Sequence, residues 1–403
     1  MAIGIATLVW VQNQGHGAGD IATVSVRAGD RDKVSQAMAQ SLLASFGAMP
    51  SGVTPRFRPI DDPDARADIV FRVNGSQDGN RLQANVAVIS GRDRSIVWSR
   101  DFAETVTNRS GLEARVKSAA GRLLDCASDA ASSRYGKLNE ASRGRYINAC
   151  AALTETNGDT QTAIPLLRQV TRDDPSFAPA WAKLLIAEVD QIAEMEGSDP
   201  ELAVARHTVV VDLAKARQIA PDLPEAAIVD LAIHPERGPT QAMATVDFAK
   251  TKDPKNITVL LSRSQQLQRV GRMDEALDEA ATAARLDPLS PLTRADWIAS
   301  LIYSGRVDFA RRELALALAI WPDVAALTEL NYVVALRYGD FENFSRNTGN
   351  VGPGFQIYVN ARRDPSRANL AAYLAFMRNP ANRGRRYFAA QGLGEMNRPD
   401  EFY

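Results

Sequence analysis

Two hydrophobic periods divide this chain of 403 residues. Up to about residue 135, apolar residues alternate with polar ones in short runs, the period of a strand with one face buried. Ile21 to Val26, Ala67 to Val73, Leu82 to Val88 and Ser95 to Phe102 read as strands. Asp78-Gly79 and Gly91-Arg92-Asp93-Arg94 read as turns between them. Val34, Met38, Leu42, Leu43 and Phe46 share one face of a helix over 30–49, and 112–131 reads as a second helix. The order strand, helix, strand, hairpin, helix predicts a small α/β domain over 21–135. Beyond it the apolar residues recur every three or four positions, and the rest of the chain reads as helical.

The helical part repeats itself. Gly271, Ala276, Ala283 and Pro288 recur as Gly305, Ala310, Ala317 and Pro322, each 34 residues from its partner. A glycine at the turn can take the left-handed conformation that ends a helix. Alanine is needed where two helices cross closely, and proline ends the second helix because it has no N–H to donate. Counting outward from Pro175, Pro221, Pro254, Pro288 and Pro322 gives about five units and one degraded unit over 136–348. The unit ending at Pro221 is longer, at 46 residues, and the excess is expected in a loop around Glu194 to Pro200. His234-Pro235 is expected to end the next unit's first helix early.

This spacing resembles the tetratricopeptide repeat family. The resemblance implies an α-helical solenoid whose first helices line a concave groove for a protein or peptide. By that resemblance the groove would include Asn148, Gln265, Gln268, Arg269 and Tyr303, whose amide, guanidinium and phenol groups can hydrogen-bond a partner's backbone. The plainer reading makes them solvated face residues. Neighbouring Leu261, Leu292, Ala295, Ala299 and Ile302 would make the groove mixed, without the Lys/Arg cluster of a carboxylate-clamp type.

The hairpin carries a second resemblance. Val73-Asn74-Gly75-Ser76, then Gly79 to Val86, Gly91, and Val97-Trp98-Ser99-Arg100-Asp101-Phe102 are similar to the domain named for the amino-terminal part of TolB. Where that family's first strand ends in an apolar Pro-Phe, this chain has Val26-Arg27-Ala28-Gly29. The family commonly follows a membrane span and precedes tetratricopeptide units in bacterial regulators with winged-helix or adenylate-cyclase-like domains. Trp98 reads as a sheet-face aromatic rather than a ligand-stacking platform.

The ends add two segments. Residues 1–20 hold a ten-residue apolar run, Ala2 to Val11, too short to span a bilayer. It reads either as the trailing half of an anchor that begins upstream or as a weakly packed terminus. Residues 349–403 form a basic helical segment, with eight arginines and two acids between 362 and 398. It reads as a solvated cap of the solenoid, with an anionic partner as the alternative.

Composition removes several classes. A net charge of −1 gives no general attraction for nucleic acid, and none is expected to bind directly. Three histidines and two cysteines are too few and too scattered for a metal site. Cys126 and Cys150 read as two buried thiols, with one disulfide as the alternative in an oxidising compartment. The common catalytic motifs are absent, so neither enzyme activity nor a cofactor is expected. The expected function is a non-enzymatic interaction scaffold, the sensory part of a membrane-anchored regulator on the periplasmic side. The alternative is a stand-alone soluble, cytoplasmic adaptor. The oligomeric state is left open.

Overall fold

The computed structural model describes residues 21–49, 57–61, 66–132, 138–154, 158–195, 199–234, 236–322, 324–338 and 353–378. The anchor-like run, the end of the degraded unit with Gly339 and Phe344, and the densest basic stretch of the C-terminal segment, Arg383-Gly384-Arg385-Arg386, lie outside the described residues.

The described residues between 21 and 131 form one sheet with two α-helices on it. The strands are β1 (Ala22–Ala28), β2 (Phe57–Ile60), β3 (Ile69–Asp78), β4 (Arg81–Ser90) and β5 (Ile96–Thr105), in the order β2-β1-β3-β4-β5. β1 runs parallel to β2 and β3, whereas β3, β4 and β5 form an antiparallel meander. Helices α1 (Lys33–Gly47) and α2 (Arg109–Ala131) cover one face. Asp32 caps α1 by accepting from the Val34 N–H at 2.7 Å. Val24, Phe71, Val73, Val86 and Val88 of the sheet meet Met38, Leu42, Phe46, Leu112, Val116 and Leu123 of the helices in one core. Trp98, opposite Val88 in the register, packs against that core.

Strand β2 is not foreseen by the alternation, because Pro59 interrupts it. Proline cannot donate to a ladder and is confined to edge strands, and β2 is an edge strand.

The remaining helices form pairs: α3 (Glu140–Leu153) and α4 (Thr160–Asp173), α5 (Ala178–Glu194) and α6 (Asp199–Ile219), α7 (Pro224–Ile233) and α8 (Pro239–Lys252), α9 (Ile257–Arg269) and α10 (Met273–Leu286), α11 (Pro291–Tyr303) and α12 (Val307–Ile320). Among the described residues three further helices follow, α13 (Ala325–Tyr338), α14 (Pro353–Arg363) and α15 (Arg367–Arg378). Gly271 and Gly305 turn from first to second helix at φ +78°, conformations strained for any residue with a Cβ. Asn139, Asp159, Asn256 and Ser290 each cap a helix by accepting a backbone N–H three residues on. At the α9–α10 crossing the Ser264 hydroxyl donates to the Ala276 carbonyl at 2.8 Å, an approach that a larger residue than alanine would obstruct. Ala276, Ala283 and Ala310 are fully buried and Ala317 nearly so.

The long unit corrects the expectation of a long loop. Its helices take the excess: α5 has 17 residues and α6 has 21, against 13 and 14 in α9 and α10. The apparent loop signal Asp199-Pro200 is instead the start of α6, where proline costs no hydrogen bond. Helix α7, in contrast, stops after ten residues, capped by His234.

The two cysteines form a disulfide, which corrects the thiol reading. Both are buried, and the packing of α2 on α3 sets their Cα atoms 6.5 Å apart, within the span a disulfide bridges. The bond ties the last helix of the sheet domain to the first helix of the array.

Helix α2 also meets the far side of the array. The Ser118 hydroxyl donates to the Leu289 carbonyl at 2.9 Å, across 171 residues of sequence. At Gly121 a Cβ would lie 2.4 Å from Leu289 Cδ1, so only glycine fits this contact without displacing the leucine. Helix α2 further touches α12. The array therefore curves back onto the domain that precedes it.

Candidate functional site

Consecutive first helices of the pairs touch one another along the array: α5 with α7, α7 with α9, α9 with α11, and α11 with α13. The second helices pack mainly on the first ones. The first helices therefore form the inner wall, and a candidate groove runs across α9 and α11.

The structure separates the five groove residues named from the sequence. Gln265, Gln268 and Arg269 lie on α9 and Tyr303 on α11, with Arg269 and Tyr303 34 residues apart at the same place in successive units. Gln265 and Arg269 are exposed, whereas Gln268 and Tyr303 are half-buried. Asn148 is exposed on α3, at the start of the array, where it borders a cleft against the sheet domain instead. Of the apolar neighbours, Ala295 and Ile302 are buried in the array, and Leu292 is the most open at 53% exposed.

Both glutamines are engaged across units. Gln268 Nε2 donates to Ser300 Oγ on α11 at 3.0 Å, and Ser300 Oγ donates back to the Asp296 carbonyl at 2.8 Å. The Gln265 side chain hydrogen-bonds the Asp296 carboxyl. These pairs link α9 to α11 across the unit boundary.

Asp296 is the groove residue the sequence reading missed. Its counterpart 34 residues earlier is Ser262, so no repeated acid marks the position. Loss of hydration raises its pKa to about 6, only partly offset by the Gln265 hydrogen bond. It is therefore a poorly hydrated carboxyl whose charged form gains from a cationic or N–H donor. Among the described residues no three or more His, Cys, Asp and Glu side chains gather as a metal site.

A second acidic feature lies inside the long unit. Glu188 on α5 is 3% exposed and accepts from Arg168 of α4 at 2.7 Å. Asp212 of α6 lies alongside and receives Lys215 at 3.1 Å. Burial, then the neighbouring Asp212, push the Glu188 carboxyl up to about 7 despite Arg168. Its position inside the packing makes it part of the framework rather than a binding surface.

No family profile and no curated protein matches the chain. Several solved structures resemble it. One is TTC0263, a thermophilic tetratricopeptide repeat protein of Thermus thermophilus, at 18% identity and TM-score 0.34, covering 45% of this chain and 92% of that one. The Cut9–Hcn1 hetero-tetramer of the APC/C aligns at 14% identity and TM-score 0.43, over 72% of this chain and 53% of that one. A D159K variant of MamA aligns at 22% identity and TM-score 0.24, over 43% and 98%. The helix lengths, the glycine turns and the 34-residue spacing carry the assignment of a mixed sheet followed by helical repeats of the tetratricopeptide kind.

Proposed function

We propose that this chain is a non-enzymatic interaction scaffold that binds an extended protein segment along the inner wall formed by α9 and α11. The observation that carries this reading is the pairing of Gln265 with Asp296 and of Gln268 with Ser300 across two units. It fixes exposed Gln265 and half-buried Gln268 and Asp296 on the same wall as exposed Leu292 and half-buried Tyr303. Such a set of polar groups suits a peptide backbone, which offers N–H and C=O groups at regular intervals. A photo-crosslinking residue placed at Gln265 tests it, with the same residue at exposed Asp278 on α10 as the outer-wall control. One discrete adduct from position 265 and none from 278 is expected. Equal labelling from both walls would reject the groove.

The finer reading places the scaffold outside the cytoplasm as the sensing part of a membrane-attached bacterial regulator. The Cys126–Cys150 disulfide supports it, because disulfides persist in oxidising compartments. The TolB-like pattern of the hairpin and the apolar run at Ala2 to Val11 point the same way. Among the described residues no helix is long and apolar enough to cross a membrane. Immunoblotting of separated membrane and soluble fractions distinguishes this reading from a stand-alone adaptor. A membrane-bound band heavier than 43.8 kDa is expected, and a soluble band at this mass would assign the adaptor role.

A further inference from the structure

Between the turn that precedes β5 and the start of α3 lies an open cleft of about 400 Å³. Ser90, Ser95, Ile96 and Val97 form its sheet-domain wall, and Glu140, Arg143 and Asn148 project from the first helix of the array. A cleft of this size accommodates a small organic molecule or a few residues of a peptide, and ligand sites favour domain junctions.

Arg143 is unusual for an arginine in this position. It is 9% exposed, yet among the described residues its only hydrogen bond runs from Nε to the Ala130 carbonyl at 3.4 Å, and it makes no ion pair. Among the described residues, two of the most buried carboxylates are ion-paired: Glu188 has Arg168, and Glu279 has both Arg263 and Lys250. Behind Arg143 a void of about 20 Å³, bordered by Arg92 as well, leaves room for about one water. Burial and then the proximity of Arg92 lower the Arg143 pKa from its ordinary value, and Asp93 and Glu140 offset only part of this. An incoming anion would remove that penalty, and the planar fork of the guanidinium fits two oxygens at once.

The rim limits which anion fits. Asp93 takes hydrogen bonds from the Ser95 N–H and hydroxyl at 3.1 and 2.9 Å, and stays ionised beside Glu140. These acids oppose any incoming anion, and a dianion such as phosphate more strongly than a monoanion. Ile96 is 54% exposed on the same wall, with Val97 beside it, and offers an apolar seat.

We infer that this cleft is a binding site for a monoanionic carboxylate carrying a small apolar group, held by the Arg143 guanidinium with the apolar part against Ile96 and Val97. A free aliphatic acid and the C-terminus of a peptide share this chemistry. The site is separate from the α9–α11 groove and stands or falls independently of it.

The test is a titration of the full chain followed by backbone NMR. The probes are hexanoate, hexan-1-ol, inorganic phosphate, and acetyl-Ala-Ala-Leu as the free acid and as the amide. Shifts confined to Ser95–Val97 and Gly144–Asn148 are expected with a carboxylate and not with the alcohol or amide. Arg143→Gln should weaken carboxylate binding by about tenfold or more, the loss of a charge-assisted hydrogen bond, and Arg143→Lys less so. Binding of hexanoate alone would assign a free acid, and binding of the acid tripeptide alone would assign a chain terminus. Should Arg143→Gln fail to fold, the comparison of acid with alcohol on the unaltered chain decides. Equal response to hexan-1-ol, preference for phosphate, shifts elsewhere or no response to either carboxylate would overturn the inference.

Discussion

Glu188 shows how one side chain sets a stability profile. Its carboxyl is held above its unfolded value, so the folded chain binds that proton more tightly than the unfolded chain. The contribution is therefore greatest below the ordinary value of 4.5 and is lost as pH rises toward about 7. Glu188→Gln keeps a donor for Asp212 and removes the titration. It should raise stability at pH 8 by about 1–3 kcal/mol and flatten the decline between those two values. Chemical denaturation of both proteins across that range checks this; parallel curves would show that Glu188 stays ionised in the fold. Nothing in the sequence marks Glu188, because the burial that perturbs it comes from three helices meeting at one point. Asp296 escaped for the same reason, with only a serine at the equivalent place one unit earlier.

At the scale of helices the sequence is far more readable, because a tight crossing tolerates very few side chains. Glycine at a positive φ and alanine at a contact leave marks that a 34-residue spacing repeats. Ala283→Trp and Ala317→Trp should each overpack a crossing and cost about 1–3 kcal/mol, read as a lower melting temperature. Two unchanged melts would mean that α10 and α12 do not pack through these faces. The elements misread were those whose local signals have two meanings. Pro59 interrupts the alternation, so the edge strand that holds it goes unread; Glu194 to Pro200 reads as a loop, yet Asp199 opens a helix of 21 residues. Proline is compatible with both pairs of readings, and only the neighbours in space choose between them.

At the scale of the whole molecule, helix α2 belongs to both halves. The disulfide closes a loop of 24 residues, for which the chain-entropy estimate is about 3 kcal/mol. Reduction, or Cys126→Ala with Cys150→Ala, should lower the denaturation midpoint by a corresponding amount, and no change would mean the bond does not form in the native protein. The Leu289 contact makes a separate prediction. Gly121→Val must displace Leu289, so it should increase the radius of gyration in solution scattering while leaving helix content unchanged. An unchanged scattering profile would show that the contact does not hold the array closed. The disulfide was open in the sequence only as an alternative to two thiols, and the Leu289 contact was not legible at all, since it joins positions 171 residues apart with no shared period.

That return of the array to α2 also gives the molecule a shortcut for force. Tension entering through the sheet domain and leaving beyond α12 has two routes: through every unit in series, or across Ser118 and Leu289 directly. The direct route is short and stiff, so α5 to α8 would carry little strain until it gives way. Pulled from its ends, the chain should first release at this bridge and only then extend its middle units, lengthening in two steps rather than as a single spring.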